Sequence, residues 1–555
     1  MLFSNNKMNT KQQNNYERML STFRLEVPEF FNAGFDIVDR WAEQDPNKLA
    51  LLAVDDHGEL AGKYRFSDLK ILSNKFANVL VDLELEQGDR GIVMLPNVPE
   101  WYVAMVGMIK LGIIPIPTTT QCTSEDLKYR INRAQIKLVV TDGANASKFD
   151  EIKLECPTLK HLILTDTQLE GWLSYQRVLG EASANLTGVR RTKSSDPMLL
   201  YFTSGTVGYP KMVLHTQASY GIGHLVTAKF WQDLKPDDLF WTISDMGWAK
   251  AAWSKLFGQW AIGSCLFLHN AGRKFDIPLS LKLIEKFGVT VFCGSPTVYR
   301  LFILEDLSKY SFPRLRHCIS AGEPLNPEVM AKFEEGTGLQ IYDGYGQTET
   351  VNQLANYRFM PIKPGSAGRP TPAFHMAVID ENGNVLPPNT EGNIAIRVKP
   401  VRPVGLFQEY LDDEAEMSSV FRGDWYYTGD KAYVDEDGYY WFVGRADDVI
   451  ITSGYRIGPF EVESALITHP AVAESAVVAS PDEIRGEVVK AFIILKPDYQ
   501  PSKGLVKEIQ DHVKKVTAPF KYPRKIEFVD SLPKTISGKI KRGELKKAEW
   551  QRSGP

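Results

Sequence analysis

Cysteine is scarce in this chain of 555 residues. The five present, Cys122, Cys156, Cys265, Cys293 and Cys318, are odd in number and never spaced Cys-x-x-Cys. That excludes a disulfide scaffold and a zinc ribbon, and suits a reducing compartment. Long apolar runs are lacking as well. The two most apolar stretches, 102–117 and 251–268, are broken by Lys110 and by Lys255 and Gln259, so neither offers the ~20 apolar residues of a spanning helix. The N-terminal MLFSNNKMNTKQQNNYER has no apolar h-region and is rich in amides rather than in Arg and Ser. It reads as a ragged soluble start, and the protein as soluble and cytoplasmic. No fixed-period repeat is present, and no low-complexity tract beyond the first 15 residues.

What is present is ordinary for a globular chain: 43% hydrophobic and 24% charged residues, with a net charge of −4. At roughly 100–200 residues per domain, the length suggests three or four folding units. Charge is unevenly spread. From Ala446 onward there are 18 Lys and Arg against 15 Asp and Glu, a local +3, which leaves −7 on the remainder. A basic run is most often a solvated helical face. Nucleic acid would require a recognisable module or interleaved aromatics, and neither occurs. A phosphorylated small molecule stays open.

Short β-branched runs alternate with helical stretches through most of the chain. Strands are expected at 91–95, 113–116, 138–141, 162–165, 289–293 and 316–320, with helices at 98–111 and from Asn326-Pro327. Such alternation predicts an α/β architecture of parallel sheets covered by helices. After Gly365 the pattern changes to short strands (376–380, 392–398, 438–443) with turn signals, as in a small β-barrel. Past Asp448 comes a compact α+β pattern, so a boundary falls near 445–448.

Five segments carry chemistry. Thr203-Ser204-Gly205-Thr206-Val207-Gly208-Tyr209-Pro210-Lys211 offers small residues, hydroxyls and a lysine, which suits wrapping a polyphosphate. It is not a Walker loop, because Pro210-Lys211 leads into a strand rather than a helix. The others are Asp343-Gly344-Tyr345-Gly346-Gln347-Thr348-Glu349, the tight turn Tyr427-Thr428-Gly429-Asp430, Gly444-Arg445-Ala446-Asp447-Asp448 with Gly454-Tyr455-Arg456, and Pro533-Lys534-Thr535-Ile536-Ser537-Gly538-Lys539. Each of the last three, alone, is an acceptable surface turn.

In this order and spacing the five segments resemble the adenylate-forming superfamily of acyl-CoA synthetases, peptide-synthetase adenylation domains and firefly luciferase. Ser244-Asp245-Met246-Gly247-Trp248, Gly322-Glu323-Pro324-Leu325 and Gly454-Tyr455-Arg456-Ile457-Gly458-Pro459 are most similar to medium-chain acyl-CoA synthetases. Val207 departs from the family's usual Thr. The resemblance implies a large domain 1–445, of two parallel-type sheets and a barrel, that binds AMP, and a smaller mobile domain 446–555 carrying the catalytic lysine. It implies an ATP-, Mg2+- and coenzyme A-dependent acid–thiol ligase of fatty acid metabolism: a carboxylate takes AMP from ATP, and the acyl group then passes to the thiol.

By resemblance, Thr203, Ser204, Gly205, Thr206, Gly208 and Lys211 wrap the β- and γ-phosphates. Thr348 contacts the α-phosphate and Glu349 holds Mg2+. Gly322, Glu323 and Pro324 frame the adenine with Asp343, Gly344 and Tyr345; Gly346 and Gln347 are also cofactor-binding, while Asp430 and Arg445 take the ribose. Lys539 reaches the reacting carboxylate, and Asp447 is the hinge about which the small domain turns so that Gly454, Tyr455 and Arg456 line the thiol channel. Trp248, Cys293, Gly294, Ala321 and Gly346 are expected to line the acyl pocket. Gly346, where acetate-specific relatives place a tryptophan, is expected to leave an indole's volume open, favouring short branched, medium-chain or aromatic acids. His215, His224, His269, His317 and His375 have no ligand spacing and read as core or surface residues, and Trp253 and Trp260 as core packing. The chain is expected to act as a monomer or homodimer on small molecules. The alternatives are an enzyme loading a carrier protein, a luciferase-like oxygenase, and a nucleotide sensor without turnover.

Overall fold

Four strands in which every residue is buried, Ile114–Pro117, Leu138–Thr141, Val291–Gly294 and His317–Ala321, set the architecture. Buried on both faces, such strands belong in parallel sheets covered by helices. The computed structural model describes residues 10–203, 210–272, 275–452, 455–482, 485–534 and 539–552, and it has that arrangement. One sheet of nine strands runs in parallel from Leu49–Val54 through Cys265–His269, Leu239–Thr242, Val291–Gly294 and His317–Ala321 to Ile341–Tyr345, with antiparallel strands at both edges. A second, wholly parallel sheet of five strands holds Leu138–Thr141 at its centre, beside Arg90–Met94. The antiparallel strands Pro197–Thr203 and Lys211–Thr216 form a hairpin, and five antiparallel strands between Met376 and Arg445 form the smaller β unit. Strands between Ile450 and Phe528 pair only with one another, in a fifth sheet.

Local chemistry explains the helix ends. In Pro99–Leu111 the proline sits at the first turn and Gly112, at φ +71°, closes the last. Ten of its thirteen residues are buried, so the helix lies inside rather than on the surface. Pro327–Thr337 begins where Asn326 Oδ1 accepts the Glu328 amide at 2.8 Å and ends at Gly338.

Two local expectations are corrected. The N-terminal segment is not ragged over its second half: Thr10–Thr22 is a helix that buries Tyr16 and Met19. The Tyr16 hydroxyl donates to the Pro370 carbonyl at 2.8 Å, and the Arg369 guanidinium lies 3.9 Å from the ring centroid. The polar composition of the helix hid its single apolar stripe. Nor is Tyr427-Thr428-Gly429-Asp430 a tight turn. It lies within the strand Trp425–Val434, where pairing with Gly392–Arg397 shifts register and Gly429 takes φ +78°, so a bulge re-aims the Asp430 side chain.

His215, His224 and His317 are buried, as expected, and burial holds each imidazole neutral: His215 is pushed down to about 3, His317 to about 4 and His224 well below 6.5. An unfolded chain takes up these protons near pH 6.5, so the stabilisation is complete above that pH and is lost as pH falls towards 4. For His317 the loss between pH 7.5 and 5 is about 2 kcal/mol. His317→Gln keeps a donor for the Trp231 carbonyl and should lose that much less over the same interval, measured as urea midpoints; parallel curves for the two proteins would refute the assignment.

Candidate active site

Parallel strands deliver their ends to a common edge, and that edge is where ligands of open α/β sheets bind. Here Gly294 pairs with Ser320, and Ala321 with Gly344, so three neighbouring strands end together. Beside this edge lies a cleft of about 1380 Å³ bounded by the sheet, the β-hairpin, the smaller β unit and the C-terminal segment.

The cleft wall brings together Thr203, Lys211, Gly322, Glu323, Pro324, Asp343–Glu349, Asp430, Arg445, Asp447 and Lys539, from both ends of the chain. Ser204, Gly205, Thr206, Gly208 and Gly454 lie outside the described residues, as does most of the loop before Lys539. The Tyr455–Ile457 backbone forms a strand against Ile450–Thr452. Trp248, Cys293, Gly294 and Ala321 do not line this cleft.

Hydrogen bonds hold Gln347 and Asp430 as one unit. The Gln347 side-chain amide donates at 2.8 Å both to the Thr428 carbonyl and to Asp430 Oδ2, which also accepts from the Tyr345 hydroxyl at 2.5 Å. The Tyr426 hydroxyl donates to Gln347 Oε1 at 3.1 Å. Asp430 and Arg445 are cross-strand partners. Burial raises the Asp430 carboxyl pKa, and Arg445, Tyr345 and Lys539 oppose the rise. Arg445 is held above its usual range: burial works against its charge, but Asp430, Asp447 and Asp448 outweigh it.

Glu349 is half-buried, with Oε1 accepting from the Tyr410 hydroxyl at 2.8 Å. Burial raises its pKa against the pull of that hydroxyl, Lys211 and Arg445. Lys211, facing Thr203 across the hairpin, is ion-paired with Glu416, and its ammonium lies 5.2 Å from the Tyr410 ring centroid. Asp343 is buried; its Oδ2 accepts from the Leu325 amide at 3.4 Å and its Oδ1 has no partner. Burial drives its pKa well up. Lys539 opens onto the cleft among Glu323, Asp430, Arg445 and Lys250, and the loss of water around it lowers its ammonium pKa against the pull of the two carboxylates.

The open space expected beside Gly346 is filled. A Cβ on Gly346 would lie 2.1 Å from Cη2 of Trp253 and 3.1 Å from the Val351 carbonyl oxygen. The helix Ala249–Lys255 swings this indole across the sheet edge, where Trp253 is buried and edge-on to Trp231 at 6.4 Å. Trp253, assigned from its spacing to core packing, is therefore the ring that stands against the catalytic segment. Sequence offered one signal for this: a glycine before Gln-Thr-Glu leaves room that another large residue takes. Other participants that the motifs did not show are Tyr410, Tyr426 and Glu416, each remote in sequence from the group it contacts.

Comparison with known proteins agrees with the geometry. The family model for the AMP-binding enzyme matches residues 38–411, and that for the AMP-binding enzyme C-terminal domain matches 461–539. The acyl-coenzyme A synthetase ACSM3, mitochondrial, of Mus musculus is 50% identical over 97% of this chain and 93% of its own length. Human ACSM4, also an acyl-coenzyme A synthetase named as mitochondrial, is 49% identical over 95% of this chain and 92% of its own. These names overturn the cytoplasmic expectation. Among solved structures, the anthranilate CoA ligase AuaEII in complex with anthranoyl-AMP superposes with a TM-score of 0.87 at 30% identity, over 96% of this chain and 99% of that one. A benzoate CoA ligase from Burkholderia xenovorans LB400 gives 0.81 at 27% identity, over 93% and 100%. The chain belongs to the AMP-binding enzyme family, among its acyl-CoA synthetases.

Proposed function

We propose that the cleft residues divide the two reactions of this ATP-dependent acyl-CoA synthetase between a fixed floor and a moving C-terminal unit. The observation that carries this reading is the meeting in one cleft of Lys211, Glu349, Asp430 and Lys539. In the first reaction an oxygen of the acid attacks the α-phosphorus of ATP, and the bond to pyrophosphate breaks. In the second, the thiol sulfur of coenzyme A attacks the acyl carbonyl, loses its proton, and AMP leaves.

Positioning and charge do most of the work in such transfers. Lys211 takes the terminal phosphates by exchanging its Glu416 partner for them, with Thr203 facing it across the hairpin. Thr348 meets the α-phosphate. Glu349 fits Mg2+: its carboxylate lines the same cleft as Lys211, and Mg2+ usually takes one or two carboxylates together with substrate phosphates. When bound, the ion spreads the phosphate charge. Asp430 and Arg445 hold the ribose, and the free Oδ1 of Asp343, with Gly322–Pro324, faces the adenine. A test common to these roles is pyrophosphate release that requires an added acid, followed by thioester formation with free coenzyme A. Thioester only on a carrier protein would favour the alternative.

Lys539 counters the repulsion between the two approaching anions. Lys539→Ala should lower acyl-AMP formation on the order of 10²–10³-fold while thioester formation from supplied acyl-AMP stays near the wild-type rate. Adenylation at wild-type speed would sink the assignment.

The unit that turns is 446–555. Arg445 closes the last strand of the smaller β unit, the next sheet begins at Ile450, and Asp447 is exposed between them, its carbonyl accepting from Lys546 at 3.4 Å. Asp447→Pro, with φ fixed near −65°, should retain one half-reaction, adenylation, and lose the other. Equal loss of both places the hinge elsewhere.

The acid is larger than acetate: short branched, medium-chain or aromatic. The names of the anthranilate and benzoate ligases and the acyl-CoA synthetases support this, since the space beside Gly346 no longer does. Trp253 sets the limit. Trp253→Ala should raise kcat/KM for acids longer than the wild-type optimum, by up to about fourfold for each methylene newly buried, at ~0.8 kcal/mol apiece. Gly346→Trp, instead of retuning the pocket, should abolish activity by colliding with Trp253. An unchanged chain-length profile in Trp253→Ala, or an active Gly346→Trp, would overturn this account. A monomer or homodimer is proposed, to be settled by sedimentation velocity.

A further inference from the structure

The segment that carries Thr348 and Glu349 is anchored from beneath by two side chains that the motifs do not include. His215 Nε2 lies 2.8 Å from the Thr348 carbonyl oxygen, and the Tyr220 hydroxyl donates to that same oxygen. Both residues are fully buried, and their rings stack with centroids 3.5 Å apart and planes 27° apart. A carbonyl can only accept, so the imidazole carries its proton on Nε2; Nδ1 then accepts from the Ser219 hydroxyl at 3.0 Å. The Thr348 carbonyl thus has both lone pairs engaged. It belongs to the peptide that joins Thr348 to Glu349. On the far side of Glu349, its own carbonyl accepts from the Phe407 amide at 2.7 Å.

We propose that His215 and Tyr220 are positioning residues that set the Glu349 carboxylate and the Thr348 hydroxyl in place for the adenylation reaction. The inference rests on the roles proposed above for Thr348 and Glu349. Its reason lies in the strand Lys211–Thr216. Side chains at 211, 213 and 215 share one face of that strand. Lys211 opens that face to the cleft, and His215, about 13 Å further along, grips the Thr348 peptide. One short strand therefore fixes the register between the phosphate-binding lysine and the carboxylate for Mg2+. Tyr220, in the turn of helix Gln217–Ile222 that follows, adds the second donor from the same continuous piece of chain. The link to the hairpin is rigid, so the C-terminal unit can move without disturbing it.

The test uses the full chain with Tyr220→Phe, His215→Leu, His215→Gln and Glu349→Gln. Calorimetry with ATP at varied Mg2+, no acid present, reads metal–nucleotide affinity apart from turnover. Outer partners of metal ligands typically contribute 10–100-fold. Tyr220→Phe and His215→Leu should each weaken Mg2+-dependent ATP binding and lower the adenylation kcat by about tenfold, leaving KM for the acid and thioester formation from supplied acyl-AMP within about twofold. His215→Gln retains an N–H donor and should recover most of the loss. Wild-type affinity and kcat in both Tyr220→Phe and His215→Leu, beside an impaired Glu349→Gln, would overturn the clamp alone. A wild-type Glu349→Gln would remove the reading on which the clamp stands, and the clamp with it. Equal loss in both half-reactions with a lowered melting temperature, unrelieved in His215→Gln, would reduce the pair to core packing.

Discussion

Repulsion between two anions governs this active site. A carboxylate must come within bonding distance of a phosphorus already surrounded by negative oxygens, and the triphosphate arrives with most of its charge. The chain answers with cations drawn from distant places: Lys211 on the hairpin, Arg445 at the end of the smaller β unit, and Lys539 near the C-terminus. Cations gathered this closely also repel one another, so each is set against a carboxylate. Lys211 rests on Glu416, Arg445 faces Asp430, and Lys539 lies near Glu323 and Asp430. The cleft is a balanced set of charges that substrate rearranges. Burial pushes Lys539 towards losing its proton and Glu349 and Asp430 towards gaining one, and the opposite charges beside each hold that shift back.

Balance alone does not place a charge to a fraction of an ångström. That task falls to neutral groups around Gln347-Thr348-Glu349. Tyr426, Gln347 and Tyr345 connect the catalytic segment to strands of the smaller β unit, while His215, Tyr220 and Tyr410, whose strand Glu409–Tyr410 pairs with Lys211–Thr216, connect it to the hairpin. Most are aromatic with one polar atom, so a single residue supplies both buried area and a directed hydrogen bond. The two sides of the cleft floor are thereby joined, and Lys539, from the C-terminal segment, is the charged group that the proposed turning unit would bring and withdraw.

How much of this was legible in the sequence follows the range of the interactions. The buried parallel strands announced themselves as β-branched runs, and the helix Pro327–Thr337 through Asn326-Pro327. The cleft residues were readable because short motifs keep them close to one another in sequence. What could not be read were pairings across long gaps: Tyr410 to Glu349, Glu416 to Lys211, and Trp253 to Gly346, where neither partner's neighbours hint at the other. His215 shows the subtler failure. Its apolar setting in Met212–His215 indicated burial, which is right, but burial says nothing of which carbonyl the ring would find. The helix Thr10–Thr22 was missed for the opposite reason, since its many amides outweighed Tyr16 and Met19 in any composition-based reading.

Gly346 and Trp253 show how one residue's absence becomes another's position. At 2.1 Å from Trp253 Cη2, no Cβ is tolerated at 346, so the glycine is explained by contact rather than by space. The indole is held against it by edge-on packing with Trp231 and by the Gln232 amide, which donates to the Trp253 carbonyl at 3.1 Å. A ring supplied from the helix Ala249–Lys255 differs physically from one attached to the catalytic segment itself. Attached there, its size would be tied to the backbone that carries Thr348 and Glu349, and any change would move both. On the roles proposed above, a ring supplied from a helix lets the wall of the acyl pocket vary in size apart from the backbone of Thr348 and Glu349, and the two elements meet at Gly346 and at the Tyr220 hydroxyl.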